Sequence, residues 1–315
     1  MQRMGGEQRM RMMSIATAVA LALGLLGAAN ARAENIFGGD EGKLPLTAGF
    51  SDLEGSGGGG LVPLAFITGY GSSTSWGANA HFTNIQLRDL HLYTYGVSAG
   101  LLDRFEWSYT RQQLDFTATA LDGLGVKQDV FGLKIKLFGD AVYGQDAWLP
   151  QLAVGVQYKH NDGIKNAESV GLAGLINPVQ LGAQAEHSTD LYLVATKVFL
   201  GENLVVNGVL RETKANQFGL LGFGGDRHRG YSTRPEATLA YLLTRKLAVG
   251  GEIRTGPHNL NVDDQTRAWT LFAAWTPTRN LSLVAAYLNI GSVLAPVTGV
   301  TRHQDGPYLS VQAGF

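Results

Sequence analysis

The sequence has no cysteine and few charged residues, which make up 16% of its 315 positions. Without cysteine there can be no disulfide framework and no thiolate metal site. The 25 basic and 26 acidic residues nearly cancel, so the chain lacks the basic balance typical of nucleic-acid binding, and no nucleic-acid partner is expected. Glycine is abundant instead, with 42 residues, beside 13 Phe, 11 Tyr and 5 Trp. This aromatic content excludes a disordered chain.

The first 33 residues have the three parts of a secretory signal peptide. Arg3, Arg9 and Arg11 form a positively charged start, and the uncharged run 15–29 follows. That run is shorter than the ~20 residues of a membrane-spanning helix. A small-x-small pattern ending at Ala33 predicts cleavage after that residue and export from the cytoplasm. A retained anchor helix is the alternative.

The rest of the chain, 34–315, alternates between apolar residues and small or polar ones in segments of about ten positions. In one segment Phe131 and Leu133 alternate with Gly132 and Lys134. Alternation of this kind is typical of β-strands with two different faces. The second face carries glycine, alanine, serine and few charges. It fits the lumen of a barrel with lipid on its apolar face better than the wet surface of a soluble sandwich.

The pattern predicts an all-β fold, a transmembrane antiparallel up-and-down β-barrel, as one domain. About fourteen strands are predicted, over residues 43–51, 61–71, 75–86, 90–101, 105–116, 127–138, 149–159, 189–200, 203–213, 232–243, 246–255, 266–276, 280–290 and 306–315. Twelve is the alternative, because Pro45 and Pro63 interrupt the first two segments and proline cannot donate a ladder hydrogen bond. Short and long links alternate, as tight periplasmic turns and longer outer loops do in such barrels.

The last strand ends in an aromatic residue. Leu309, Val311 and Ala313 alternate with polar or small residues up to the terminal Phe315. Such an ending is similar to the signature that the outer-membrane assembly machinery recognises. Together with the signal peptide it predicts an outer-membrane location. The expected partners are membrane lipid, lipopolysaccharide and the assembly machinery, and the oligomeric state stays open.

Several strings resemble a proteobacterial family known only as a domain of unknown function and treated as outer-membrane barrels. They are GKLPLT at 42–47, EGSGGGGLVP at 54–63, ATK at 195–197, TKANQFGLLGFGGD at 213–226 and YLSVQAGF at 308–315. The resemblance spans essentially the whole mature chain and implies the barrel fold and the outer membrane. It implies no substrate and no catalytic residue.

Strand parity predicts a set of charged side chains in the lumen. They are Glu106, Lys134, Lys136, Lys197, Arg211, Glu236, Glu252 and Arg254. Five basic and three acidic groups would form a mixed-charge pore lining that selects among solutes. The alternative is a salt-bridge network that fills the lumen without conducting. Strand number does not decide, because fourteen lies between the filled interior of eight strands and the aqueous channel of about sixteen.

Two predicted outer loops are unusually apolar. One is the segment 170–184, and the other is 217–226, in which Phe218, Leu220 and Phe223 are expected to fold inward as a constriction. An apolar mouth of this kind would suit hydrophobic solutes. Packing between loops that merely caps the barrel is the alternative.

Motifs for catalysis and for cofactor binding are weak. His81 is the one histidine predicted inside the lumen, and no nucleophile-elbow string accompanies it, so no enzyme activity is expected. Most other histidines fall in separate outer loops without ligand spacing, so neither a metal site nor any cofactor is expected. The run Gly57–Gly60 lacks the Lys-Ser/Thr of a phosphate loop and is interpreted as a flexible outer turn.

The function that fits best is a passive channel for small solutes across the outer membrane. A channel for hydrophobic compounds, gated by the apolar outer loops, is one alternative. A structural or anchoring barrel with a filled lumen is the other.

Overall fold

The computed structural model describes residues 43–118, 121–146, 148–170, 177–265, 267–295 and 302–315. The predicted signal peptide therefore lies outside the described residues. Within these ranges no helix has the length and apolar character needed to cross a membrane.

Twelve antiparallel strands form one closed barrel, in which each strand pairs with its neighbours in sequence and the first pairs with the last. The strands are β1 (Trp76–Gln86), β2 (Leu90–Leu101), β3 (Phe105–Phe116), β4 (Gly125–Phe138), β5 (Gln151–Lys165), β6 (His187–Phe199), β7 (Leu204–Thr213), β8 (Ser232–Thr244), β9 (Leu247–Thr255), β10 (Arg267–Thr278), β11 (Leu281–Asn289) and β12 (Asp305–Gly314). Between β1 and β12 the register runs from Asn79 opposite Gly314 to Ile85 opposite Tyr308. Closure leaves no strand edge unpaired.

The alternation predicted from the sequence separates the two faces of the wall. On β3, Phe105 and Trp107 are exposed, whereas Glu106 and Ser108 between them are buried. Each of the twelve strands presents at least one large apolar residue on the outside. The outer surface is therefore an apolar band, and the polar positions point inward.

The two ends of the barrel differ in the length of their links. One end, called the turn end, has short links between β2 and β3, β6 and β7, β8 and β9, and β10 and β11; the 139–150 link is its one long connection. The other end, called the loop end, carries five of the six longest links. The residue before β1 and the residue after β12 both lie at the turn end, as expected for a barrel with an even number of strands.

The prediction of fourteen strands is wrong, and the alternative of twelve is correct. Residues 43–75, called the plug, enter the lumen from the turn end instead of adding two strands to the wall. Pro45 begins a single helical turn, α1 (Pro45–Ala48), and Gly55 and Gly69 have left-handed backbone angles (φ 91° and 76°) that end any extended run. The plug is irregular because its sequence breaks both helix and strand.

The loop end is covered by residues 214–226, called the lid. Phe223 forms isolated bridges with Ala185 and Ala215, and the backbone of Gln217 and Phe218 is left-handed (φ 45° and 65°). The lid thus folds back over the lumen. The apolar segment 170–184 is described only in part, since residues 171–176 lie outside the described ranges.

Close packing against the plug makes one wall glycine necessary. Gly155 faces Tyr192, whose hydroxyl lies 2.8 Å from the Ser56 Oγ of the plug. A Cβ at Gly155 would lie 2.1 Å from the tyrosine ring. Gly155→Ala is therefore expected to lower the free energy of unfolding by about 1–3 kcal/mol, measured by urea unfolding in lipid vesicles. Gly208→Ala is the matched control, because nothing lies within 4 Å of its added Cβ; equal loss in both variants would contradict this account.

Candidate functional site

Glu54 of the plug lies at the centre of a buried ionic cluster in the middle of the lumen. Its Oε1 is 2.5 Å from the Nζ of Lys159, and its Oε2 is 2.9 Å from Nη1 of Arg254. Arg211 also approaches Oε2, at 3.5 Å. Glu54 has no exposed surface. One plug carboxylate therefore neutralises positive charge from three separate strands of the wall.

The wall supplies two further carboxylates to this cluster. Asp190 lies 2.8 Å from the Lys159 ammonium, and Glu236 binds Arg211 with a distance of 2.6 Å. The second nitrogen of the Arg211 fork also bonds to Glu236, at 3.3 Å. With Arg254, the cluster holds three basic and three acidic groups. Its charge balances only while Glu54 is present, since the wall alone contributes three basic and two acidic groups.

Wall side chains also satisfy the irregular backbone of the plug. Glu106 accepts hydrogen bonds from the backbone N–H groups of Gly57 and Thr68, each at 2.9 Å. Lys134 donates to the carbonyls of Gly57 and Leu64 at 2.9 and 3.1 Å. Because the plug has no strand partner, these bonds replace a backbone ladder.

The glycine run of the plug lies in the lumen, so its interpretation as an outer turn is wrong. Glu252 accepts hydrogen bonds from the N–H groups of Gly60 and Leu61 at 3.1 and 2.8 Å. A Cβ on Gly59 would lie 2.0 Å from a carboxylate oxygen of Glu252. Glycine here lets the plug backbone approach the carboxylates of the wall.

The lid meets the ionic cluster from the loop end. The ring of Phe218 stacks on the Arg254 guanidinium at 4.8 Å, and its carbonyl accepts hydrogen bonds from Gln128 and Lys159 at 3.1 and 3.4 Å. Leu220 and Phe223 are buried. All three residues predicted to constrict the mouth therefore lie inward and packed, and their part in any constriction stays a prediction.

A buried acid fastens the lid to the neighbouring loops. Asp263 accepts hydrogen bonds from the side-chain amide of Gln217 and from the N–H of Leu294, at 3.0 and 2.8 Å. Burial raises the pKa of Asp263 to about 6. Since the folded-state pKa is above the ordinary value, ionisation costs the folded lid free energy as the pH rises through about 6.

The predicted lumen residues fall into three groups. Glu106, Lys134, Arg211, Glu236, Glu252 and Arg254 point inward and are buried against the plug or within the cluster. Lys136 points inward at the turn end and pairs with Asp103 at 2.5 Å. Lys197 has the same strand parity as the exposed Leu191 and Leu193. It therefore lies on the outer face, where it donates to the Gly144 carbonyl at 2.5 Å, and its placement in the lumen is wrong.

Three members of the ionic cluster were missed by the sequence reasoning. Lys159 has the same parity as Gly155 and Gln157 on β5, and that parity was enough to place it inside. Asp190 shares its parity with Tyr192 and Thr196, but it sits at the margin of a predicted loop. Glu54 gave no signal, because it belongs to a segment whose position depends on tertiary contacts.

Histidines form no catalytic arrangement among the described residues. His81 is buried, and its Nε2 lies 3.4 Å from the Thr110 hydroxyl. At the loop end His160 lies beside Asp129 and Asp162, with ligand atoms within 4.8 Å of one another. Arg111 pairs with both of these carboxylates. That site is therefore already neutralised by a guanidinium and suits a salt bridge better than a cation.

Comparison with known proteins identifies a family and a set of similar folds. The family model described as "Protein of unknown function (DUF3034)" matches residues 47–312. The chain is similar to the NanC porin, with 8% identity and a TM-score of 0.46 over 76% of this chain and 98% of the other. It is similar to an outer membrane channel from Pseudomonas putida F1, with 10% identity and a TM-score of 0.43 over 80% and 96%. It is also similar to outer membrane phospholipase A from Escherichia coli, with 11% identity and a TM-score of 0.39 over 79% and 94%. No curated protein sequence matches the chain significantly.

Proposed function

We propose that this chain, which belongs to the DUF3034 family of proteins of unknown function, is an outer-membrane channel for small solutes that its own plug holds closed. The observation that carries the proposal is the polar contact between plug and wall. Ion pairs and hydrogen bonds of this kind can be exchanged for water when the plug moves.

The outer surface supports the membrane location. A closed barrel satisfies every backbone group within the sheet, which the hydrocarbon core requires. The apolar band has aromatic residues near the turn end, such as Trp76, Phe105 and Phe138, where barrels place an interfacial girdle. We propose lipid around this band and lipopolysaccharide at the loop end. The strand ending at Phe315 would present the chain to the assembly machinery.

The chemistry of the wall supports transport of polar solutes. Ten inward-facing strand residues carry charge: Glu106, Lys134, Lys136, Lys159, Asp190, Arg211, Arg234, Glu236, Glu252 and Arg254. Six are basic and four are acidic. If the barrel served only as an anchor, apolar packing of comparable volume would be at least as stable as these buried ion pairs. A wall of this composition suits a lumen that holds water once the plug has moved.

A removable lock between plug and wall tests the proposal. The hydroxyls of Ser51 on the plug and Ser98 on β2 are 3.4 Å apart, and the chain has no cysteine of its own. The double variant Ser51→Cys/Ser98→Cys of the mature chain is expected to show discrete conductance steps in a planar bilayer only when reduced. Oxidation should abolish the steps, and reductant should restore them.

The Ser51→Cys single variant is the control, and the oxidant should not change its conductance. Steps that persist in the oxidised double variant would show that conduction does not need the plug to move. A folded barrel that stays silent when reduced, at every voltage, would instead favour the structural alternative with a permanently filled lumen.

A further inference from the structure

The turn end of the lumen has two chemically different sides. On the side of β3–β5 the inward residues Glu106, Lys134 and Gln151 are polar and hydrogen-bond the plug. On the opposite side, from β6 to β11, many inward residues at the same end are apolar, such as Val198, Val205, Leu242, Phe272 and Val284. Thr196 of β6 is polar and accepts a hydrogen bond from the Ala65 N–H of the plug at 2.8 Å. At this end the plug is hydrogen-bonded chiefly to β3–β5.

Along the apolar side the plug and wall enclose a cavity of about 410 Å³. The plug contributes Leu46, Phe50, Leu64 and Phe66 to its lining, so both walls of the cavity are apolar. Inward-facing residues of membrane barrels are ordinarily polar, because the lumen is wet. A cavity of this size lies within the range of small-molecule sites, about 300–1,000 Å³, and apolar cavities take apolar ligands in preference to water.

Three polar residues lie at the mouth of this cavity. Asn203 and Arg245 belong to links of the turn end, and Thr244 is the last residue of β8; of the described lining residues only Arg245 is charged. Arg245 is exposed, so it can receive an anion without a large desolvation cost. The arrangement is that of a site for an amphiphile, with an aliphatic chain inside and an anionic group at the entrance.

We propose that this cavity binds a long-chain carboxylate, whose hydrocarbon chain lies between the plug and β6–β11 and whose carboxylate pairs with Arg245. If the barrel is a channel, long-chain carboxylates are its substrate class, and that part of the inference rests on the function proposed above. Binding itself does not depend on conduction.

Photolabelling of the mature chain in lipid nanodiscs tests the site. The probe is dodecanoic acid carrying a terminal diazirine, and labelled residues are mapped by mass spectrometry. Lipid-dissolved probe can reach only the outward residues of β8, such as Leu239 and Tyr241, whereas bound probe labels the inward Ala240 and Leu242 of the same strand. Inward labelling is the expected result. Labelling confined to the outward residues would overturn the proposal.

Two adjacent valines offer a matched pair of variants. Val205 faces the cavity, and Val206 beside it faces outward with 40% of its surface exposed. Val205→Phe fills the cavity and is expected to lower inward labelling about tenfold, whereas Val206→Phe should leave it unchanged. Equal labelling in both variants would contradict the proposed position of the chain.

The carboxylate is tested by charge removal. Arg245→Gln should lower labelling by the acid probe but not by the corresponding diazirine alcohol, and Lys246→Gln, an exposed neighbour, is the control. Equal loss for acid and alcohol would overturn the carboxylate assignment. If the probe labels inward residues but the barrel never conducts, the binding site is supported and the channel function is refuted. If the barrel conducts but the probe labels no inward residue, the channel function is supported and the binding site is refuted.

Discussion

Glu54→Gln is expected to raise the open probability of the barrel about a hundredfold or more. The substitution keeps the size of the side chain and removes only its charge. In the closed state the buried Arg254 and Lys159 would then contact a neutral amide in place of the Glu54 carboxylate that they contact in the wild type. The measurement is single-channel recording of the mature chain in planar bilayers.

The size of this effect follows from where the charge lies. Removal of one partner from a buried ion pair costs about 3–5 kcal/mol, because the other partner is left uncompensated. Here the cost falls on the state with the plug inserted, since water can solvate Arg254 and Lys159 once the plug has left. A change of about 1.4 kcal/mol shifts a population tenfold. The closed state therefore loses its advantage over the open one.

The open state of this variant should prefer anions. With Glu54 removed from the lumen, the cluster retains the basic Lys159, Arg211 and Arg254 against the acidic Asp190 and Glu236. This excess of positive charge lies in the middle of the pore, so every ion that crosses the pore must pass it. The reversal potential in a salt gradient measures the preference.

Glu202→Gln is the control, because Glu202 is an exposed residue of the turn between β6 and β7. Its open probability should equal that of the wild type. A folded Glu54→Gln barrel that stays as closed as the wild type would show that the ionic cluster does not hold the plug. Cation preference in the open state would contradict the placement of Lys159, Arg211 and Arg254 in the pore.

The strands are predictable because apolar residues of the outer face alternate along each strand with small or polar residues of the inner face. The predictions for β2, 90–101, and β3, 105–116, coincide with the strands Leu90–Leu101 and Phe105–Phe116. For the other ten strands the ends differ by at most six residues, and the largest difference is at the end of β5 (Gln151–Lys165). There the strand continues past His160 into mostly polar residues beyond the apolar band. In such a region apolar and polar residues no longer alternate, so the sequence does not indicate a strand.

The plug was not predictable in this way, because its surroundings are the same on all sides. Residues 61–71 read as an almost continuous apolar run, which a buried strand and a buried irregular segment share. Only proline and glycine distinguish the two. Pro63 lies beside Gly58 in an isolated bridge, and the left-handed Gly69 ends the run. The sequence therefore predicts burial here but not what covers it.

The candidate site was predictable to the extent that it follows strand parity. Parity places Arg211 and Arg254 inside, and it would have placed Lys159 there too. A single-residue error in parity moves a side chain to the opposite face, as happened with Lys197. Partners across the lumen, such as Glu54 with Arg254, depend on the path of the plug and had no counterpart in the local pattern.

Arg211→Met is expected to lower the free energy of unfolding by about 3–5 kcal/mol, the largest loss among single substitutions in the wall. Arg211 has no exposed surface and pairs with Glu236 through both Nε and Nη2. Without the guanidinium, Glu236 would keep only its contact with Arg254 at 3.1 Å. Urea unfolding in lipid vesicles measures the loss.

The double variant Arg211→Met/Glu236→Met separates charge from packing. It removes one basic and one acidic group, so Glu54 and Asp190 remain balanced by Lys159 and Arg254. We therefore expect it to be more stable than Arg211→Met alone, since a paired deletion leaves no uncompensated charge. Leu210→Met on the outer face is the control and should change stability by less than about 0.5 kcal/mol. If the double variant lost as much free energy of unfolding as Arg211→Met and Glu236→Met lose together, the two residues would act independently. The buried cluster would then not be a coupled unit.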